Sequence, residues 1–161
     1  MILITGPEST GKSTLAEQLS RKLGITCIQE YSRHYFDTNG PDYDYADIET
    51  MAREHHDHII NSDQSQLILD TFALNYKIWS IYKYGKVSPV IMDMLSYYNY
   101  DKVLLLKPDI PWEPDPLREN PQNRQELFEI YVKELNALGW DYDIIEGHGK
   151  DRLANALRIL E

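Results

Sequence analysis

Residues Gly6-Pro7-Glu8-Ser9-Thr10-Gly11-Lys12-Ser13 fit the pattern G-x-x-x-x-G-K-[ST], and their types are those that bound phosphoryl groups require. Glycines let backbone N–H groups turn inward around phosphate oxygens, a lysine reaches the β and γ oxygens, and a serine hydroxyl helps to hold Mg²⁺. On this reading Gly6, Glu8, Ser9, Thr10, Gly11, Lys12, Ser13 and Thr14 cradle a nucleoside triphosphate, with Ser13 on the metal. The pattern alone does not choose between a kinase, a GTPase and a motor. The chain has no N-K-x-D guanine-reading motif, which favours ATP over GTP.

Three further groups have types suited to phosphoryl transfer, which needs charge stabilisation at the γ-phosphoryl, an aligned nucleophile and exclusion of water. Glu30 follows a short β-rich segment and is the candidate general base for an acceptor hydroxyl. Asp70 closes the apolar run Leu67-Ile68-Leu69, the pattern of a strand that delivers a carboxylate toward Mg²⁺. Arg118, in a Pro-rich loop, and Arg124, just after it, offer planar forks that meet two phosphoryl oxygens at once. The catalytic candidates are therefore Lys12, Glu30, Asp70 and Arg118; Arg124 joins the nucleotide contacts, and Ser13 with Asp70 forms the metal pair.

Tyr31, Arg33 and Tyr35 beside Glu30, with Trp112 in the Pro-rich loop, form a candidate aromatic pocket for a flat ring. The chain has 12 tyrosines, so ordinary packing is the competing explanation. His55, His56 and His58 suggest a metal at first sight, but on a helix His55 and His56 point to different faces, which argues against zinc.

Elements that could position these groups follow from periodicity. Ile2-Leu3-Ile4 reads as a strand before the phosphate loop, and Leu15, Ala16, Leu19 and Leu23 recur at helical spacing after it until Gly24. Ile25 to Gln29 reads as a second strand, Glu30 to Phe36 as an irregular aromatic stretch, Thr38 to Asp42 as a turn, and Ala46 to Ser62 as a helix. Leu67 to Asp70 is the third strand, followed by helices over Thr71–Tyr84 and Pro89–Tyr97 and a fourth strand at Lys102–Leu106. Five prolines between Lys107 and Asn123 forbid a long helix or central strand there, so a lid loop is expected over about 107–125. A helix over Gln122–Leu138, a fifth strand over Tyr142–Ile145, the turn Gly147-His148-Gly149 and a last helix complete the pattern. Strands that alternate with helices predict an α/β fold: three α/β/α layers, a five-stranded parallel sheet and a lid loop, in a single domain over 1–161. Ligands of such sheets sit at the carboxyl ends of the strands, which brings all the candidates to one edge.

Twenty-six acidic residues against 16 Lys and Arg give a net charge of −10, so nucleic acid and anionic membrane are not expected partners. The single cysteine, Cys27, excludes an internal disulfide and is expected in the core. No apolar stretch approaches the ~18 residues of a spanning helix and no signal sequence is read at the start, so a cytoplasmic protein is expected.

E-S-T-G-K-S-T-L in the loop, Q-E-Y-S-R after the second strand, L-D-T after the third and P-W-E-P-D-P-L-R in the lid together resemble the nicotinamide riboside kinase domain of the bacterial bifunctional NAD-biosynthesis regulator family, from Ile2 to Leu160. The resemblance implies a P-loop NTPase fold, ATP and Mg²⁺ as cofactors, a small-molecule nucleoside as acceptor, and Glu30 and Arg33 in the riboside pocket with Arg118 in the lid. Two features depart from the family. Its usual D-T-D reads Asp70-Thr71-Phe72 here, and no adenylyltransferase domain precedes the first strand, so nucleotide adenylation is expected elsewhere. The leading expectation is an ATP-dependent kinase acting on the 5′-hydroxyl of a nucleoside, nicotinamide riboside first. Phe72 motivates the alternative, an ATP-binding sensor module of NAD metabolism with little turnover.

Overall fold

The computed structural model describes residues 1–62 and 65–161. Five parallel strands form its centre: β1 (Ile2–Thr5), β2 (Thr26–Ile28), β3 (Leu67–Asp70), β4 (Lys102–Leu106) and β5 (Asp143–Ile145), in the spatial order β2-β3-β1-β4-β5. β1 pairs with β3 through Ile2↔Ile68 and Ile4↔Asp70, and with β4 through Ile2↔Lys102 and Thr5↔Leu105. Helices cover both faces of the sheet, which is why β1 carries apolar residues at Ile2, Leu3 and Ile4 rather than an alternating pattern.

Alternation along each strand separates the two faces. Ile4, Ile68, Leu104 and Leu106 face Leu15, Ala16 and Leu19 of α1 (Lys12–Leu23) and Ala156 of α7 (Gly149–Leu160). Leu3, Leu69, Val103 and Leu105 face the larger core of the opposite side. There lie α2 (Tyr31–Asn39), α3 (Tyr45–Ile60), α4 (Ala73–Tyr84), α5 (Pro89–Tyr97) and α6 (Arg124–Leu138). The three layers and the five-stranded parallel sheet are those expected.

The helix ends follow local chemistry. Asp44 caps α3 by accepting from Ala46 N–H at 2.7 Å, and Asp47 returns the bond to Asp44 N–H at 2.7 Å, a reciprocal capping box. Ser88 accepts from Val90 N–H at 3.1 Å with Pro89 at the first position of α5. Gly24, Gly85 and Gly139 stop α1, α4 and α6.

Two expectations need correction. The stretch Glu30 to Phe36 is not irregular: Glu30 precedes α2, which continues through Thr38 and Asn39, and Ser32, Tyr35 and Phe36 are its buried face. Tertiary burial of that face outweighs the modest helix propensity of its aromatic residues. Cys27 is only half-buried at the rim of the α1 side, because β2 is an edge strand; what burial it has still pushes its thiol pKa up to about 12.

Candidate active site

β1 empties directly into the phosphate loop, and Gly6 makes the turn possible. Its φ is +136°, and a side chain there would put a Cβ at 2.8 Å from the Leu106 carbonyl oxygen. Only glycine combines that conformation with so close an approach to β4. Gly11 is left-handed at the start of α1, Thr10 Oγ1 donates to the Pro7 carbonyl at 2.8 Å, and Lys12 Nζ donates to the same carbonyl at 2.7 Å. Burial lowers the Lys12 pKa, opposed by the charges of Glu30, Asp70 and Glu8.

A cavity of about 650 Å³ opens from this loop. The end at the phosphate loop is lined by Gly6, Glu8, Ser9, Gly11, Lys12, Ser13 and Thr14, and by Gly149 and Arg152. Its far wall carries Glu30, Arg33, Phe36, Tyr43, Trp79 and Tyr131, and lid residues including Leu117 and Arg118 close the mouth. Glu30 precedes α2, where Ser32 Oγ donates to Glu30 Oε1 at 2.8 Å and fixes the carboxylate's direction.

Asp70 is fully buried at the end of β3. Burial pushes its pKa up to about 6, the Glu30 charge adds to the rise, and the Ser13 hydroxyl and Lys12 oppose it. Among the described residues neither Asp70 oxygen has a hydrogen-bond partner of good geometry. No group of three or more His, Cys, Asp or Glu among those residues is placed to hold a metal ion. An orphaned buried carboxylate beside a serine hydroxyl nevertheless suits Mg²⁺, which takes one or two protein oxygens and completes its shell with phosphates and water.

The lid, 107–123, lies on the phosphate loop. Glu113 N–H donates to Ser9 Oγ at 2.9 Å, and Arg118 Nη1 approaches the same hydroxyl at 3.4 Å while also bonding the Glu113 carbonyl. Arg124 Nη1 bridges the Ser9 and Ile110 carbonyls, both at 3.0 Å. Glu8 accepts from the N–H groups of Glu119, at 3.2 Å, and Asn120. Across the mouth, Arg33 pairs with Asp115 at 2.8 Å.

Several candidates lie elsewhere than the sequence places them. Tyr31 and Tyr35 do not line the cavity. Tyr31 packs edge-on against His34 and His58, and Tyr35 is buried with its hydroxyl donating to Asp47 at 2.6 Å. Both rings face the α3 side because α2 is a helix, which sends successive side chains to different faces. Trp112 also lies outside the lining; its ring carries the guanidinium groups of Arg118, at 5.9 Å, and Arg124, at 5.7 Å. The aromatic wall is instead Phe36, Tyr43, Trp79, Tyr82 and Tyr131. Phe72 is fully buried in the core against His55 and Tyr98, each ring centroid at 5.0 Å, and nearby Asn75 lines the cavity, its Oδ1 accepting from Thr5 Oγ1 at 2.7 Å.

Arg152 also lines the cavity, a position to which no motif in the sequence points. It is 4% exposed, bonds the Thr10 carbonyl and Asp109, and donates to the Gly147 carbonyl at 2.7 Å. Asp109 also accepts from Gly147 N–H at 2.8 Å, so three loops at this end of the cavity are tied together. An arginine within the first turn after Gly147-His148-Gly149 was the available signal.

Sheet order, cradle and lid define the class: a P-loop fold of the kind found in nucleoside kinases. The chain belongs to a family described as an AAA domain, whose model matches residues 1–152. It is 27% identical over 169 residues to the trifunctional NAD biosynthesis/regulator protein NadR of Escherichia coli strain K12, covering 99% of this chain and 41% of that relative. A crystal structure of NadR in complex with NR superposes with a TM-score of 0.85 at 20% identity, over 99% of this chain and 49% of that one. Deoxyadenosine kinase from M. mycoides with bound dATP has the same fold, with a TM-score of 0.62 at 16% identity over 99% and 98%. The resemblance read from the motifs thus holds as homology to part of NadR. Among the described residues no helix is long and apolar enough to cross a membrane.

Proposed function

We propose that the chain is an ATP-dependent kinase that moves the γ-phosphoryl to the 5′-hydroxyl of a nucleoside, nicotinamide riboside foremost. The observation that carries this reading is one cavity that joins the phosphate loop to a wall bearing Glu30 and aromatic rings. Homology to part of NadR and the fold shared with nucleoside kinases support the acceptor class.

Glu30, oriented by Ser32, accepts the proton of the 5′-hydroxyl as its oxygen bonds to the γ-phosphorus. The bond from that phosphorus to the bridging oxygen breaks, and ADP leaves with the electron pair. Lys12 and the backbone N–H groups of the loop hold the β and γ oxygens, and Arg118 meets the charge that spreads over the transferred group. Ser13 and Asp70 would hold Mg²⁺, which would supply positive charge to offset that of the phosphates. The lid excludes water so that the acceptor hydroxyl is the nucleophile that is reached. Phe36, Tyr43 and Trp79 provide faces for a flat base.

The test is ADP release with ATP, Mg²⁺ and a nucleoside panel. Release should depend on nicotinamide riboside, fall by about a hundredfold or more in Glu30→Gln, and collapse in Lys12→Ala. Equal ADP release with and without every nucleoside would sink the reading. Tight binding of ATP and riboside with no product would favour the sensor module instead; Phe72, which motivates that alternative, lies in the core rather than in the cavity wall.

A further inference from the structure

Glu8 presents a difficulty of charge. It stands inside a loop built to hold anions, where a free carboxylate repels the phosphates that Lys12 and the N–H groups attract. Its two oxygens are instead turned to the lid, accepting the N–H groups of the consecutive residues Glu119 and Asn120. The lid turn therefore supplies the donors that offset a charge the phosphate loop cannot accommodate alone.

The same lid turn reaches the opposite end of the cavity. The Glu119 side chain accepts from the Tyr43 hydroxyl at 3.1 and 3.2 Å and pairs with Lys83 at 3.2 Å. That hydroxyl in turn accepts from Trp79 Nε1 at 2.8 Å and Lys83 Nζ at 2.6 Å. Tyr43, Trp79 and Lys83 all line the cavity on the acceptor side. Thus one residue, Glu119, is tied by its backbone to the donor loop and by its side chain to the acceptor wall.

We propose that Glu8 and Glu119 are positioning residues that couple occupation of the acceptor wall to docking of the lid on the phosphate loop. An acceptor that seats against Tyr43 and Trp79 fixes Glu119, which presents the N–H groups of 119 and 120 to Glu8. With the turn docked, the Glu8 charge is directed away from the phosphates and Arg118 is held at Ser9. With the turn undocked, that charge faces the triphosphate and weakens its hold. ATP is then gripped firmly only when an acceptor is present, which limits its loss to water. The exposed Lys83–Glu119 pair is weak by itself; its effect comes from standing in a chain of hydrogen bonds that runs from one site to the other.

This inference rests on the kinase reading, and the experiment separates the two. ATP affinity is measured by calorimetry, with Mg²⁺, in the presence and absence of nicotinamide riboside, for the intact chain, Glu8→Ala, Glu119→Ala and the double variant. Riboside should tighten ATP binding by about tenfold in the unaltered chain, within the usual range of coupling between sites. Either single substitution should remove most of that factor, and the double variant should lose no more than a single one, because both act through one connection. Glu8→Gln, which removes the charge, and Glu119→Leu, which removes the acceptor, replace any alanine variant that does not melt cooperatively. Coupling that survives in the single variants, or losses that add in the double variant, overturn the proposal. A chain that binds riboside with no effect on ATP affinity overturns it too, and leaves the kinase reading to the ADP assay. A chain that binds no riboside overturns the riboside reading and the coupling together.

Discussion

Arg152 satisfies its guanidinium on the Thr10 and Gly147 carbonyls and on Asp109, in three separate loops. Burial lowers its pKa, against the opposing carboxylate of Asp109, yet an arginine stays charged at any physiological pH. A lysine cannot span the same acceptors, because its single ammonium lacks the planar fork. We therefore expect Arg152→Ala to raise the KM for ATP by about tenfold, the equivalent of ~1.4 kcal/mol of lost binding, with Arg152→Lys no better. Steady-state kinetics with ATP varied at fixed riboside checks this, and an unchanged KM in the alanine variant would refute it. The sequence offers only the position of Arg152, one turn after Gly147-His148-Gly149; its partners are not legible there, because they belong to segments that only the closed sheet edge brings together. The phosphate loop is the opposite case. Its chemistry is local, so Gly6, Lys12 and Ser13 can be read from spacing alone.

Helix α3 shows how an element can hold a titratable group in its core. His55 is fully buried against Tyr76, whose hydroxyl lies 3.2 Å from Nδ1, while Nε2 has no partner among the described residues. Burial lowers its pKa to about 3, so the folded chain keeps a neutral imidazole where the unfolded chain binds a proton below its usual pKa of about 6.5. The unfolded state thus takes up more protons between about pH 3 and 6.5, and stability falls as pH falls through that window. In His55→Gln the loss of unfolding free energy on acidification should be shallower by about 1.4 kcal/mol per pH unit between pH 6 and 4. Urea melts at several pH values test this, and parallel profiles for the two chains would count against it. The periodicity of α3 was readable because Ile48, Met51, Ala52, His55 and Ile59 repeat over its length. Helix α2 was not, since nine residues rich in aromatics carry too short a pattern to outweigh weak propensity. Because α2 is a helix, Tyr31 and Tyr35 turn away from the cavity, and Phe36 and Tyr43 line it.

For the whole molecule, a net charge of −10 opposes a polyanionic ligand everywhere except where cations are gathered. Lys12, Arg33, Lys83, Arg118 and Arg152 all line the one cavity described above, so binding should concentrate there. A ligand that binds only the folded chain stabilises it by mass action, by about 2.7 kcal/mol at a hundredfold excess over its Kd. With riboside present, ATP and Mg²⁺ should accordingly raise the melting temperature, and Lys12→Ala should abolish the rise; a melting curve indifferent to ATP under those conditions would remove the donor from the proposal. The order of the strands adds a further consequence. β1 has hydrogen-bonded neighbours on both sides and a fully buried centre, and the phosphate loop leaves directly from its end. Such a strand exchanges its amide protons only when most of the sheet opens, whereas a proline-broken surface loop samples open states far more often. The phosphate loop and the lid that docks on it therefore run on separate clocks, the loop's anchor set by global opening of the sheet and the docking contact by the lid's own excursions.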